Sequence, residues 1–255
     1  MLSKRHGDIL RVLNDQGTVT ITALAERLGV STETVRRDVK PLTDLGKVVR
    51  MHGAVSLTGH SGEAPFERRM RENAPEKRLI AKYVATTIRD GDSVMMDTGT
   101  TTSFLARELL AHRRLTVVTN SSDIARTMAT VNGNKVYMAG GELRSDSGAA
   151  FGVSAIEFIN RFSVNHAVIS TGAVNAQSGV MDYDLEEAEF ARTVLSRGER
   201  SLVITDHTKF GRNGLVGVCG FKGFSELVTD SRPPKNVTRA IEAAGTILTL
   251  ATPDN

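Results

Sequence analysis

The sequence runs to 255 residues and carries 32 Lys+Arg against 29 Asp+Glu, a formal net charge of +3. That length fits about two domains, and the near-balance of charge excludes a wholly basic chain, so any contact with nucleic acid must come from local clustering. No apolar run approaches the roughly 18 residues that cross a bilayer, and the first residues lack the apolar core of an export signal. We therefore expect a cytoplasmic protein with no membrane association. Cys219 is alone, which rules out an intrachain disulfide and fits a small buried thiol in a reducing compartment. The six histidines are scattered without metal-ligand spacing, so no metal and no cofactor are expected.

The first predicted element is a helix over KRHGDILRVLNDQG, where Ile9, Leu10 and Leu13 share one stripe and Gly17 ends the run. ITALAERLG supplies a second helix, with Leu24, Ala25 and Leu28 at helical spacing. Gly29 then accepts the positive φ of a sharp turn at no steric cost. Ser31 caps a third helix, STETVRRDVKPLTDLG, by offering its side-chain oxygen to an open amide. Val35, Val39 and Leu42 fall on the inner face, and Thr32, Thr34, Arg36, Arg37 and Lys40 project outward. Hydroxyls and cations on the open side of a second helix suit a major groove and its flanking phosphates. The bland alternative is a solvated basic face, against which the turn, the cap and the charges coincide. Pro41 lies well past the first turn, where it removes a backbone donor and costs about 3 kcal/mol. A kink or an early end near Lys40 is expected.

After Gly46, KVVRMHGAVSL alternates like two short strands about His52-Gly53, a wing from which Arg50 and His52 would reach backbone or minor groove. Residues 1–57 thus read as a winged helix-turn-helix domain for double-stranded DNA. Its candidate contacts are Ser31, Thr32, Thr34, Arg36, Arg37, Lys40, Arg50 and His52. Residues 58–75, TGHSGEAPFERRMRENAP, are rich in Gly, Pro and charge and read as a linker. There Arg68, Arg69 and Arg71 either brush phosphates or, more commonly for such a stretch, remain solvated.

EKRLIAKYVATTI opens a second domain, 76–255, as a helix. Beyond it, short apolar strands at 93–96, 115–119, 135–139, 167–170, 201–205 and 227–229 alternate with helices at 102–111, 123–130, 155–160, 185–198 and 235–244. A segment at 246–250 adds an edge strand. This alternation argues for an α/β domain with a parallel sheet, and such sheets bind ligands beyond the carboxyl ends of their strands.

The loops at that edge carry the candidate chemistry. Asp97, Thr98, Gly99, Thr100, Thr101 and Thr102 join a strand to a helix, and open amides, a favourable dipole and hydroxyls there suit a phosphate. An ordinary capped turn explains the same residues equally well. Asp97 repels a bare anion and is better aimed at ligand hydroxyls or neighbouring amides. Asn120 offers a donor and an acceptor to a polyol. Gly140, Gly141 and Glu142 end the next strand, with Arg144 close behind as an anion partner. Asp206 and Lys209 follow the strand at 201–205, and Lys209 brings a compact charge suited to phosphate. Each residue singly is more often structural; their shared position after strands is what points to a site.

RHGDIL and STETVRRD together resemble the DNA-binding signature of the DeoR family of bacterial transcriptional repressors. MDTGTTTSFLAREL, VVTNSSDIA, AGGELRSDSG and DHTKFGRNGLV resemble that family's sensor domain. The resemblance implies a homo-oligomeric repressor of carbohydrate or polyol genes, relieved by a phosphorylated sugar or polyol. AGGELRSDSG, DYDLEEAEFAR and DHTKFGRNGLV are similar to the glycerol-3-phosphate repressor subgroup, which implies glycerol 3-phosphate as the effector.

The sensor domain also resembles the ribose-5-phosphate isomerase fold, in which acidic residues after a central strand and a glutamate on a following helix move a proton. Here VISTGAV, 168–174, carries no carboxylate, leaving Glu187 on the next helix with Asp182 and Asp184 before it. A general base without positioned acidic partners has little with which to relay a proton. Binding without turnover, and no catalytic residue, is the expectation, with Asp184 and Glu187 as further effector contacts. The alternative is an isomerase-like enzyme with an appended DNA-binding module.

Overall fold

The computed structural model describes residues 3–16, 19–45, 47–51, 53–57 and 64–252. The chain divides into two compact units, Met1–Arg69 and Met70–Asn255.

In the first unit, α1 (Lys4–Gln16), α2 (Ile21–Leu28) and α3 (Thr32–Asp44) pack with a small sheet of β1 (Val19–Thr20), β2 (Val48–Met51) and β3 (Ala54–Leu57). The strand order is β1-β3-β2, all antiparallel. A short helix, α4 (Phe66–Arg69), follows within the stretch read as a linker. Ile9, Leu13, Leu24, Val35, Val39, Leu42, Val48 and Val55 close one apolar core. Thr20 caps α2 through Ala23 N–H, and Gly29 ends it at φ 64°, sending its own N–H back to the carbonyls of Ala25 and Glu26. This left-handed residue makes the turn into α3.

Of the kink or early end expected near Lys40, the early end does not occur. Helix α3 runs through Pro41 to Asp44 instead of ending near Lys40. Proline removes a single rung, and Leu42, fully buried in the core, anchors the turn that follows. Leu45 N–H bonds the Pro41 carbonyl at 3.0 Å, so the last turn is completed by the backbone.

The second unit opens with α5 (Ala74–Thr86), with Pro75 in its first turn, where a missing donor costs nothing. A seven-stranded sheet is then laid down by β4 (Ser93–Met96), β5 (Thr116–Thr119), β6 (Lys135–Met138), β7 (Val164–Ile169), β10 (Gly198–Ile204), β12 (Glu226–Thr229) and β13 (Ile247–Leu250). All its pairings are parallel, in the order β13-β12-β10-β7-β4-β5-β6. Intervening helices are α6 (Thr100–Glu108), α7 (Ser122–Met128), α8 (Val153–Ile159), α9 (Leu185–Leu195) and α10 (Lys235–Ala244).

Residues alternate strictly between faces. Val94 and Met96 join Ile80, Val84, Leu105 and Ile124 on one side, while Met95 joins Ile159, Phe190, Val194 and Ile241 on the other. Both faces are covered, as a parallel sheet requires. The chain lays strands outward from β4 through β5 and β6, then restarts at β7 on β4's other side, so the order reverses between β4 and β7.

Three short strands were not expected: β8 (Ala173–Asn175), β9 (Gly179–Asp182) and β11 (Val216–Cys219), an antiparallel sheet of order β11-β9-β8. They hide in the sequence because each is too short to show a period. Their turn is nonetheless written in local chemistry. Asn175 Oδ1 accepts from Gln177 and Ser178 N–H, and Gly179 takes φ 74°. The helix expected over 185–198 stops at Leu195, and β10 begins at Gly198, three residues ahead of expectation. The reason is lateral packing. A Cβ at Gly198 would lie 2.5 Å from Ala167 Cβ and 2.7 Å from Ala167 N on β7.

Gly198→Ala should therefore lower the stability of the second unit by about 1–3 kcal/mol through overpacking. A urea titration showing an unchanged midpoint would contradict this packing.

Candidate functional site

The first candidate surface is the open face of α3. Arg36, Arg37 and Lys40 are exposed there, Thr32 and Thr34 half-buried, and Ser31 exposed at the N-terminus. Ser31 accepts Thr34 N–H at 3.2 Å, and the two hydroxyls lie 2.9 Å apart, so both are partly engaged in capping. Arg36 pairs with Glu33 across one turn at 3.3 Å, an exposed contact that contributes little. Among the described residues, Arg37 and Lys40 have no ion pair. Arg50 is exposed on β2. His52 lies outside the described residues. Asp38 points inward, where Arg5 of α1 meets it at 2.5 Å.

The second candidate is the carboxyl edge of the central sheet. Asp97, just past β4, is 6% exposed, and both of its oxygens accept the N–H of Ser170, just past β7, at 3.1 Å. This contact spans the point where the strand order reverses. The loop then enters α6 with Gly99 at its N-cap position. Thr102 donates its hydroxyl to the carbonyls of Asp97 and Gly99, at 3.1 and 3.0 Å, which holds the loop in shape. Thr100 and Thr101 are buried beside it, and the Thr98 hydroxyl is buried with no hydrogen-bond partner. A Cβ on Gly99 would lie 1.8 Å from Ser170 Oγ and 2.9 Å from Ser170 Cβ. Glycine here is a demand of close approach between two loops.

Asn120 follows β5 and is 0% exposed. Its Nδ2 donates to the Ala150 carbonyl at 2.9 Å, while Oδ1 has no partner. The cover is the segment after β6, which doubles back so that Ala150 N–H meets the Asn120 carbonyl. Ser121 pairs with Ala149 beside it. Gly140, Gly141 and Glu142, at the start of that segment, are exposed.

Arg144 fastens the same segment to α9. It meets Asp146 at 2.9 Å, Asp184 at 3.2 Å and Glu187 at 3.4 Å, and its guanidinium lies 5.3 Å over the Phe151 ring. Burial alone would lower its pKa, but the three carboxylates outweigh it and hold it more firmly protonated. Burial likewise pushes the Asp146 carboxyl up, and the Arg144 hydrogen bonds and charge win, holding it below the usual range. Asp184 also caps α9 through Glu186 and Glu187 N–H. The sequence reading placed Asp184 and Glu187 at the ligand; the structure joins both to Arg144.

Beyond β10, Asp206 is buried and accepts Thr208 N–H at 3.0 Å within a 3-10 turn, His207–Lys209. Lys209 is half-buried in that turn. Asn73, at the start of α5, donates to the Thr208 hydroxyl at 3.5 Å, so the N-terminus of α5 lies over the end of β10. One turn further along α5 comes Lys77, only 3% exposed. The sequence reading missed it, although Lys77 falls in helical register with Ile80, Ala81 and Val84, all buried. Ser170 was missed because a serine after a strand carries no distinctive pattern.

The edge thus combines helix-terminal amides, threonine hydroxyls and two lysines on flanking elements. Groups of that kind suit a polar anion. No group of three or more His, Cys, Asp or Glu among the described residues is arranged to hold a metal ion, and no described helix is long and apolar enough to cross a membrane. Burial pushes the thiol of Cys219 up to about 11, against the weaker pull of Arg192.

Gly99→Ala should destabilise the second unit by about 1–3 kcal/mol. Ser170→Gly in the same chain should recover most of that loss. A double variant no more stable than the single one would show that the Gly99–Ser170 approach is not the cause.

The profile of the DeoR-like helix-turn-helix domain matches residues 5–59, and that of the DeoR C terminal sensor domain matches residues 72–231. The chain is 34% identical to the HTH-type transcriptional repressor CsqR of Escherichia coli (strain K12), over 90% of this chain and 88% of that protein. It is 30% identical to the glycerol-3-phosphate regulon repressor of the same organism, over 94% and 95% of the two lengths. Among solved structures, ribose 5 phosphate isomerase A from Neisseria gonorrhoeae aligns over 52% of each chain, at 15% identity and a TM-score of 0.39.

Proposed function

The chain belongs to the DeoR family of transcriptional repressors, and from that premise we propose that it represses sugar or polyol genes until a phosphorylated polyol, glycerol 3-phosphate first among them, occupies the carboxyl edge of its sheet. The observation that carries this is the α6 N-terminus at the strand-order reversal, with Lys77 in the first turns of α5 and Lys209 just past β10 as the cations of the same edge. Phosphate would sit on the amides of Thr100, Thr101 and Thr102, with Thr98 and Thr100 hydroxyls as donors. Asn120 would meet the polyol hydroxyls, and Gly140, Gly141 and Glu142 would line the mouth.

Binding without turnover follows from the carboxylates. The segment 168–174 after the central strand is acid-free, and Glu187 sits at an arginine that two further carboxylates share. A base in that setting has no proton relay toward a carbon centre. The repressor acts in the cytoplasm as a homo-oligomer, pairing copies of α3 on repeated half-sites of double-stranded operator DNA. Ser31, Thr32, Thr34, Arg36, Arg37, Lys40 and Arg50 face the duplex. Effector and operator favour different arrangements, so each weakens the other by the same coupling free energy.

Glycerol 3-phosphate at about 100 times its Kd should stabilise the protein by roughly 2.7 kcal/mol against unfolding and release operator in a gel-shift titration. Lys209→Ala should keep operator affinity and lose the release; a normal release would remove Lys209 from the site. Arg37→Ala should weaken binding on every duplex and reduce the salt slope by about one. Equal affinities of variant and parent across a salt series would take Arg37 off the DNA. Conversion of ribose 5-phosphate by the purified protein, abolished in Glu187→Gln, would replace binding by catalysis.

A further inference from the structure

We propose that Arg5 is a positioning residue for DNA binding, whose pairing with buried Asp38 fixes the roll of α3 and thereby aims its outer face. The two residues come from different helices. Arg5 lies in the first turn of α1, and its Nε meets Asp38 Oδ2 at 2.5 Å. The Asp38 side chain is 12% exposed and that of Arg5 42%.

Asp38 occupies an unusual place for a carboxylate. It lies on the buried face of α3 in the company of Val35, Val39 and Leu42. An isolated charge there is costly, so Asp38 persists only because Arg5 answers it. Two further ion pairs on these helices are of another kind. Arg11–Asp8 and Arg36–Glu33 are exposed contacts within a single helix, spaced three residues apart, and such pairs fix nothing between helices.

The apolar contacts of α3 explain why a directional link matters. Burial of Val35, Val39 and Leu42 is non-directional, and an apolar stripe tolerates small rotations at little cost in buried area. A charge-assisted hydrogen bond tolerates far less. Asp38 sits directly beside Arg37 in the chain, about 100° round the helix, so holding Asp38 inward sets Arg37 on the exposed face. The start of α1 is itself fixed. Ser3 N–H donates to His6 Nδ1 at 3.0 Å, and His6 N–H donates to Ser3 Oγ at 3.3 Å. Arg5 is therefore a short lever from a capped helix end.

The decisive experiment uses the full chain and separates stability from aim. A duplex enriched by the parental protein from a random pool serves as specific target, and a shuffled copy serves as non-specific competitor. Replacing the pair by apolar residues of similar size, Arg5→Met with Asp38→Leu, should leave the thermal midpoint at or above the parental value. The ratio of specific to shuffled affinity should fall about tenfold, the cost of roughly one misread base pair. The salt slope should not change, because Arg5 touches no phosphate. A retained ratio overturns the proposal. So does a slope lower by about one with equal losses on both duplexes, which makes Arg5 a phosphate contact. Should the double variant not fold, Arg5→Lys decides: it keeps the charge but not the Nε geometry, and the ratio should fall severalfold at a near-parental midpoint.

Discussion

Where the strand order of the central sheet reverses, one carboxylate ties the loop after β4 to the loop after β7. Strands β4 and β7 are neighbours in space but distant in sequence, and their loops leave toward opposite faces. The backbone amide of Ser170 sits beyond the last sheet bond, and Asp97 satisfies it with both oxygens. An amide left without an acceptor there would cost about 1–3 kcal/mol. Because Asp97 also begins the turn into α6, the same contact fixes where that helix starts. Gly99 then has to be glycine, and Thr102 can fold its hydroxyl back onto the loop. The proposed anion cradle is thus a by-product of closing the crevice.

Much of this was legible in the sequence wherever one local rule acted alone. Gly29 and Ser31 announced the turn and the cap of α3, and the apolar periods of Val35, Val39 and Leu42 gave its inner face. The alternation of short apolar runs with helices announced the parallel sheet. Sequence reasoning failed where a tertiary contact overrode the local rule. Pro41 should break a helix, yet the burial of Leu42 outweighs the lost rung. The strands β8, β9 and β11 are too short for a period and exist because they pair with one another. Lys77 drew no attention in the sequence, although its register with Ile80 and Val84 places it inside. Ser170 contributes through its backbone, which no side-chain pattern could announce.

Charge is distributed unevenly along the carboxyl edge. Around Arg144, three carboxylates face one guanidinium, leaving a local excess of negative charge that repels anions. Lys77 stands instead on α5, which packs on the same sheet face as α6, and Lys209 follows β10, on the β7 side of the reversal point. In the proposed site a phosphorylated ligand would take a matching orientation, its charged end with the threonines and lysines and its uncharged end toward the segment that Arg144 fastens.

The sealing of Asn120 has a temporal consequence. Its oxygen lies idle beneath Ala149 and Ala150, with no solvent path to it. Any molecule that recruits this amide must wait for that cover to lift, so uptake would follow the rate of opening and level off as concentration climbs. If the effector of the proposed function engages Asn120, this gating would make the sensor average over brief surges of metabolite and answer to supply that lasts.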